Sequence, residues 1–115
     1  MRSMEEMLKL ACTYLNERGV EYVVVGGIAV IAYGEPRTTA DADILIQMGI
    51  GGMRDFAKYL DANGFFSDPN DIEDAMRERT HFSAVDRESL FRLDIKGVYG
   101  EMDRRTMARR KPKDF

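Results

Sequence analysis

The sequence predicts an α/β (α+β) domain, a small mixed β-sheet flanked by helices. Helical and strand-like periodicities alternate along the chain in the order α-β-α-β-α-α-β-β-α. Hydrophobic residues make up 44% and charged residues 32% of 115 residues, the balance and length of one globular domain. The longest apolar run, residues 23–32, is interrupted by Gly26 and Gly27. It falls far short of the ~18–20 residues that span a bilayer, so a membrane span is excluded.

The first element is a helix. Ser3 and Glu6 form an S-x-x-E capping box, and Met4, Met7, Leu8, Ala11, Tyr14 and Leu15 recur at helical spacing. Gly19 stands where a left-handed C-terminal residue is wanted. Glu21-Tyr22-Val23-Val24-Val25 is short and β-branched and reads as a buried strand that stops at Gly26-Gly27. Ile28-Ala29-Val30-Ile31-Ala32-Tyr33 then reads as a short buried helix, and Gly34-Glu35-Pro36 as a turn. A second strand covers Asp41-Ala42-Asp43-Ile44-Leu45-Ile46-Gln47.

After a glycine-rich connection, Met53, Phe56, Ala57 and Leu60 mark another helix, ended by Gly64. Asp68-Pro69-Asn70 is a turn, and residues 71–78 form a short acidic helix with Ile72, Ala75 and Met76 inward. Residues 81–85 and 90–95 read as antiparallel strands joined through Asp86-Arg87-Glu88-Ser89. Residues 1–100 therefore form the main domain, and 101–115 a basic C-terminal helix or tail.

A net charge of −3 argues against a general nucleic-acid binder. The charge is uneven: residues 1–100 hold 11 basic against 17 acidic side chains, residues 101–115 six against three. The positive end suits a solvated helix end or a polyanion such as RNA. A single cysteine, Cys12, and no apolar leader segment point to the reduced cytoplasm. The only histidine, His81, opens a predicted strand without a Cys or His partner and reads as structural or surface.

Asp41 and Asp43 carry the chemistry. Two apart on a strand, they project from one face with Cα atoms roughly 6.5–7 Å apart, while Ala42, Ile44 and Ile46 take the other face. Adjacent like charges need compensation, and hard carboxylate oxygens suit Mg²⁺ or Mn²⁺. In Leu90-Phe91-Arg92-Leu93-Asp94-Ile95-Lys96, Asp94 shares the polar face with Arg92 and Lys96, and an ordinary ion pair with either is the alternative to a functional role. If this strand neighbours the first, Asp94 supplies a third carboxylate, a set suited to phosphoryl transfer. Gly26-Gly27 between a strand and a helix would leave bare backbone N–H groups for a phosphate, although such a pair also serves a tight turn.

Gly26-Gly27, 13 intervening residues, and Asp41-Ala42-Asp43-Ile44, with Arg37 and Thr39 between, resemble the nucleotidyltransferase superfamily of the DNA polymerase β type. The run Tyr22-Val23-Val24-Val25-Gly26-Gly27 through Pro36-Arg37-Thr38-Thr39-Ala40-Asp41-Ala42-Asp43-Ile44 looks most like its small bacterial and archaeal branch, which includes minimal and toxin-type members. The resemblance implies a nucleotidyltransferase-like fold. It implies catalytic, metal-binding roles for Asp41, Asp43 and Asp94, with Mg²⁺ or Mn²⁺ as cofactor. It implies NTP contacts by Gly26, Gly27, Arg37 and Thr39.

Gly27 stands where many members carry serine, a departure that removes a hydroxyl contact to phosphate. The chain also ends about 20 residues after Asp94, where members usually add a helical domain. A protein partner or a homodimer is then expected to complete the site, unless the chain is a minimal domain or a fragment. The expected activity is transfer of a nucleoside monophosphate from NTP to a hydroxyl on a protein, a tRNA or a small molecule. The alternative is a non-catalytic nucleotide-binding or toxin–antitoxin partner module with the same fold.

Overall fold

The computed structural model describes residues 2–31 and 38–109. Among them lie four helices and five strands in the order α1 (Met4–Glu17), β1 (Tyr22–Ile31), β2 (Thr38–Ile46), α2 (Ile50–Ala62), β3 (Phe65–Phe66), α3 (Pro69–Glu78), β4 (His81–Asp86), β5 (Arg92–Gly97) and α4 (Glu101–Ala108). The strands form one mixed sheet, β1-β2-β5-β4-β3. The β2–β5 pair is parallel and the others are antiparallel. This is the expected α+β architecture.

Local chemistry sets the helix ends. Ser3 Oγ accepts from Glu6 N–H at 3.1 Å, and Glu6 Oε1 accepts from Ser3 N–H at 3.2 Å. These bonds, the backbone one foremost, hold the Glu6 carboxyl below its usual range. Gly19 follows the helix at φ 66°, a left-handed conformation that only glycine adopts freely. Asp68 caps α3 by accepting from Asn70 N–H at 2.9 Å, with Pro69 in the first turn. The turn expected at 68–70 is therefore the start of a helix.

One sheet face is the core face. Ala42, Ile44 and Ile46 of β2, Leu93 and Ile95 of β5, and Phe82 and Ala84 of β4 are buried there with the apolar stripes of α1, α2 and α3. Tyr14 of α1 packs between Phe56 and Tyr59 of α2, with centroids 5.3 and 4.5 Å away. The Tyr59 hydroxyl donates to the Leu10 carbonyl at 2.9 Å, fastening the two helices. Cys12 is fully buried in this layer, and burial pushes its thiol up. Among the described residues, no helix is long and apolar enough to cross a membrane.

Two further local expectations are corrected. The chain does not turn into a helix after Gly26-Gly27: β1 continues to Ile31, paired with β2 from Gly26↔Asp43 and Gly27↔Ala42 to Ile31↔Thr38. A short apolar piece has no periodicity that separates strand from helix, and here the β2 ladder claims Ile28, Val30 and Ile31. A register shift between Val24 and Gly26 takes up the irregularity. The second correction is β3, a two-residue strand at Phe65–Phe66 that pairs with Val85 and Asp86. It is too short to leave a pattern in sequence. The turn expected at Gly34-Glu35-Pro36 lies outside the described residues.

The loop between β4 and β5 is built on Asp86, whose side chain is fully buried. Its Oδ1 accepts from Glu88 N–H at 3.2 Å and faces Arg2 Nη1 at 3.5 Å, while Oδ2 accepts from the Ser89 hydroxyl at 2.9 Å. Asp86→Ala would strand these donors beside a cavity and is expected to lower unfolding stability by about 2–3 kcal/mol. Urea titration of both proteins checks this. A loss below about 0.5 kcal/mol, the range of ordinary surface changes, would contradict the assignment.

Candidate carboxylate site

The opposite sheet face carries the polar residues. In register, Asp41 lies beside Arg92 and Asp43 beside Asp94, and Asp94 lies in turn beside Ser83 of β4. Register partners share a sheet face, so Asp43, Asp94 and Ser83 form one row across three strands. Gly26 of β1 extends that row as the partner of Asp43, a position with no side chain. Asp41 and Asp43 are exposed, while Asp94 retains only 9% of its accessible surface.

Asp94 is the most heavily bonded member. Ser83 Oγ donates to its Oδ1 at 2.5 Å, and Arg92 Nε lies 3.2 Å from the same oxygen. His81 Nε2 stands 4.0 Å away. Arg92 Nη2 also donates to Asp41 Oδ2 at 2.9 Å, so one guanidinium bridges carboxylates from two strands. Asp43 sits next to Asp94. Its carboxyl is pushed above the usual range by partial burial first, then by the Asp94 charge and a hydrogen bond with Asp94, and by Asp41; His81 acts in the opposite direction.

The structure therefore brings together Asp41, Asp43 and Asp94 on one face. Gly26 and Gly27 lie beside them as strand residues, so the helix N-terminus expected there as a phosphate cradle is replaced by a β-ladder. Thr39 lies in β2, two residues before Asp41 and paired with Val30. Arg37 lies outside the described residues. Two neighbours escaped sequence reasoning: Ser83 and His81, both on the polar side of β4. The alternation Phe82/Ala84 against His81/Ser83 marks that side, but only the pairing with β5 aims it at Asp94.

The far end of this face is closed by α4. Asp103 accepts from Lys96 Nζ at 3.1 Å and from Tyr99 N–H at 3.1 Å. Burial opposes ionisation of Asp103, but these bonds outweigh it and hold the carboxyl below its usual range. Leu45, the partner of Lys96, is buried at this end although it shares the strand face of Asp43. A separate cleft of about 610 Å³ opens beyond it between Met48, Met76, Tyr99 and Met107, sharing no residue with the carboxylate row.

Among the described residues, no group of three or more His, Cys, Asp or Glu side chains is placed so that it could hold a metal ion. The donor chemistry nonetheless fits a hard divalent cation. Asp43 and Asp94 are adjacent carboxylates; burial first and the Asp94 charge second raise Asp43, and a cation between them would relieve the repulsion. Mg²⁺ typically takes one or two carboxylates and completes its shell with water and substrate phosphate, so a full cage is not required. Compared with known proteins, the chain matches no family model, no curated protein and no solved structure.

The raised Asp43 carboxyl has a signed consequence. A carboxyl raised on folding favours the folded state fully below its unfolded value near 3.8, and this contribution is lost as pH rises through the folded value. Asp43→Asn is therefore expected to melt with the parent protein in acid and above it at neutral pH without metal. The gain should be at most about 2–3 °C, since the group is well solvated. Paired melts across this pH range check it. A variant that melts lower at neutral pH and equally in acid would reverse the sign.

Proposed function

We propose that the protein is a metal-dependent nucleotidyltransferase that moves a nucleoside monophosphate from an NTP to a hydroxyl acceptor. The observation that carries this reading is the parallel register of Asp43 with Asp94, with Asp41 two residues away on the same sheet face. The sequence motif spanning Gly26-Gly27 to Asp41-Ala42-Asp43 supports it. Asp41, Asp43 and Asp94 would hold Mg²⁺ or Mn²⁺, which when bound neutralises phosphate charge and aligns the reacting groups.

The chain's own residues have distinct tasks. Asp94, oriented by Ser83, assists removal of the acceptor proton. The acceptor oxygen bonds to the α-phosphorus, the bond from that phosphorus to the bridging oxygen breaks, and pyrophosphate leaves. Gly26 offers the triphosphate an approach beside Asp43 unblocked by a side chain. Gly27, Arg37 and Thr39 would contribute further nucleotide contacts. The acceptor is a protein, RNA or small-molecule hydroxyl, in a cytoplasmic setting, and a protein partner or second copy would complete its binding surface. The basic residues after 100 favour a polyanionic acceptor.

The Arg92 bridge favours a second reading. A guanidinium that already neutralises Asp41 and Asp94 suits a nucleotide-binding or toxin–antitoxin module without catalysis. Incubation with α-phosphate-labelled NTPs and Mg²⁺ or Mn²⁺ separates the two. The enzyme transfers label to an acceptor or to itself, and folded Asp43→Asn loses at least about a hundredfold of that rate. Metal-dependent NTP binding without transfer leaves the binding module, and absence of binding to every NTP removes both.

A further inference from the structure

We propose that Arg92 is a resident counter-ion that competes with the divalent cation for Asp41 and Asp94 and, when displaced, binds the triphosphate. This rests on the nucleotidyltransferase reading. Arg92 leaves β5 on the same face as Asp94 and lies in register with Asp41. Its Nη2 meets Asp41 Oδ2 at 2.9 Å while its Nε meets Asp94 Oδ1 at 3.2 Å. One planar group thus spans two of the three carboxylates assigned to the metal. Both cations cannot use those oxygens at full strength, so metal binding and the Arg92 bridge are linked equilibria.

The exchange is physically light. The Arg92 side chain is 46% exposed, so its release empties no cavity, and the incoming cation replaces the counter-charge that the sheltered Asp94 loses. Exposed ion pairs are weak, and two carboxylates gain more from a divalent ion than from half of a shared guanidinium. Arginine keeps its proton at any working pH, so the freed group remains a cation with a planar fork of donors. That fork fits phosphate oxygens as well as carboxylates. It would be freed at the edge of the carboxylate row, where the triphosphate of the proposed reaction arrives with its metal.

A purely structural staple between β2 and β5 predicts the opposite. Its removal would loosen the carboxylates and leave metal affinity unchanged or weaker. The test titrates the full chain with Mn²⁺ alone, followed by electron paramagnetic resonance, and then with a non-hydrolysable NTP analogue in saturating Mn²⁺. Arg92→Gln is expected to tighten Mn²⁺ binding about two- to fivefold, the reach of an exposed charge pair. The same variant should weaken analogue binding about tenfold, as expected when a charge-assisted phosphate contact is lost.

Arg92→Lys, which keeps the charge but not the fork, should fall between the two proteins in both titrations. Arg54→Gln removes the same charge from the Arg54–Glu73 pair on α2 and α3 and should change neither. If Arg92→Gln does not fold, Arg92→Lys carries the comparison alone. Mn²⁺ binding no tighter than in the parent, or analogue binding undiminished, overturns the role of Arg92 and leaves the nucleotidyltransferase reading standing. Absence of Mn²⁺ binding in the parent and both Arg92 variants overturns both. Binding that emerges only in a variant supports the competition.

Discussion

The parallel register between β2 and β5 governs both halves of this molecule. It places Ile44 beside Ile95 and Ala42 beside Leu93 on the core face, all nearly or fully excluded from solvent. The same register sets Asp43 beside Asp94 on the opposite face. Side chains alternate with a period of two, so a slip of one residue would drive the aspartates into the helix layer and expose the aliphatic side chains. Hydrophobic burial therefore fixes the position of the carboxylates, although they contribute nothing to that burial.

Such an arrangement has an electrostatic cost, and the structure answers it locally. Asp94, the most buried of the three acids, receives a hydroxyl hydrogen bond from Ser83 and lies against the Arg92 guanidinium. Asp41 shares that guanidinium at the solvent edge. Asp43 stands next to Asp94 under repulsion, and its carboxyl is raised. Natural folds tolerate local disagreement of this kind chiefly where function needs it. Asp86 is more deeply buried, but its bonds shape the β4–β5 loop and tie it to Arg2.

The far end of the polar face is organised differently. There α4 covers the sheet, and Asp103 ties the helix to Lys96 and to the backbone of Tyr99. Among the described residues of this face, Asp41 and Asp43 are exposed and Asp94 is sheltered, while Leu45 at the α4 end is buried.

The sequence by itself determined what depends on neighbours along the chain. The Ser3–Glu6 box, the left-handed Gly19, the helical stripes and the two faces of β2 are all written in short-range spacing. So was the separation of Asp94 from the apolar side of its strand. Tertiary structure decided what depends on pairing across the chain. The segment after Gly26-Gly27 has no decisive period, and the β2 ladder made it strand rather than helix. The Arg92–Asp94 pair was legible from alternation on one strand, but Ser83 and His81 met Asp94, and Arg92 met Asp41, only because β4 and β5 align beside β2, an outcome of long-range packing that local pattern does not encode.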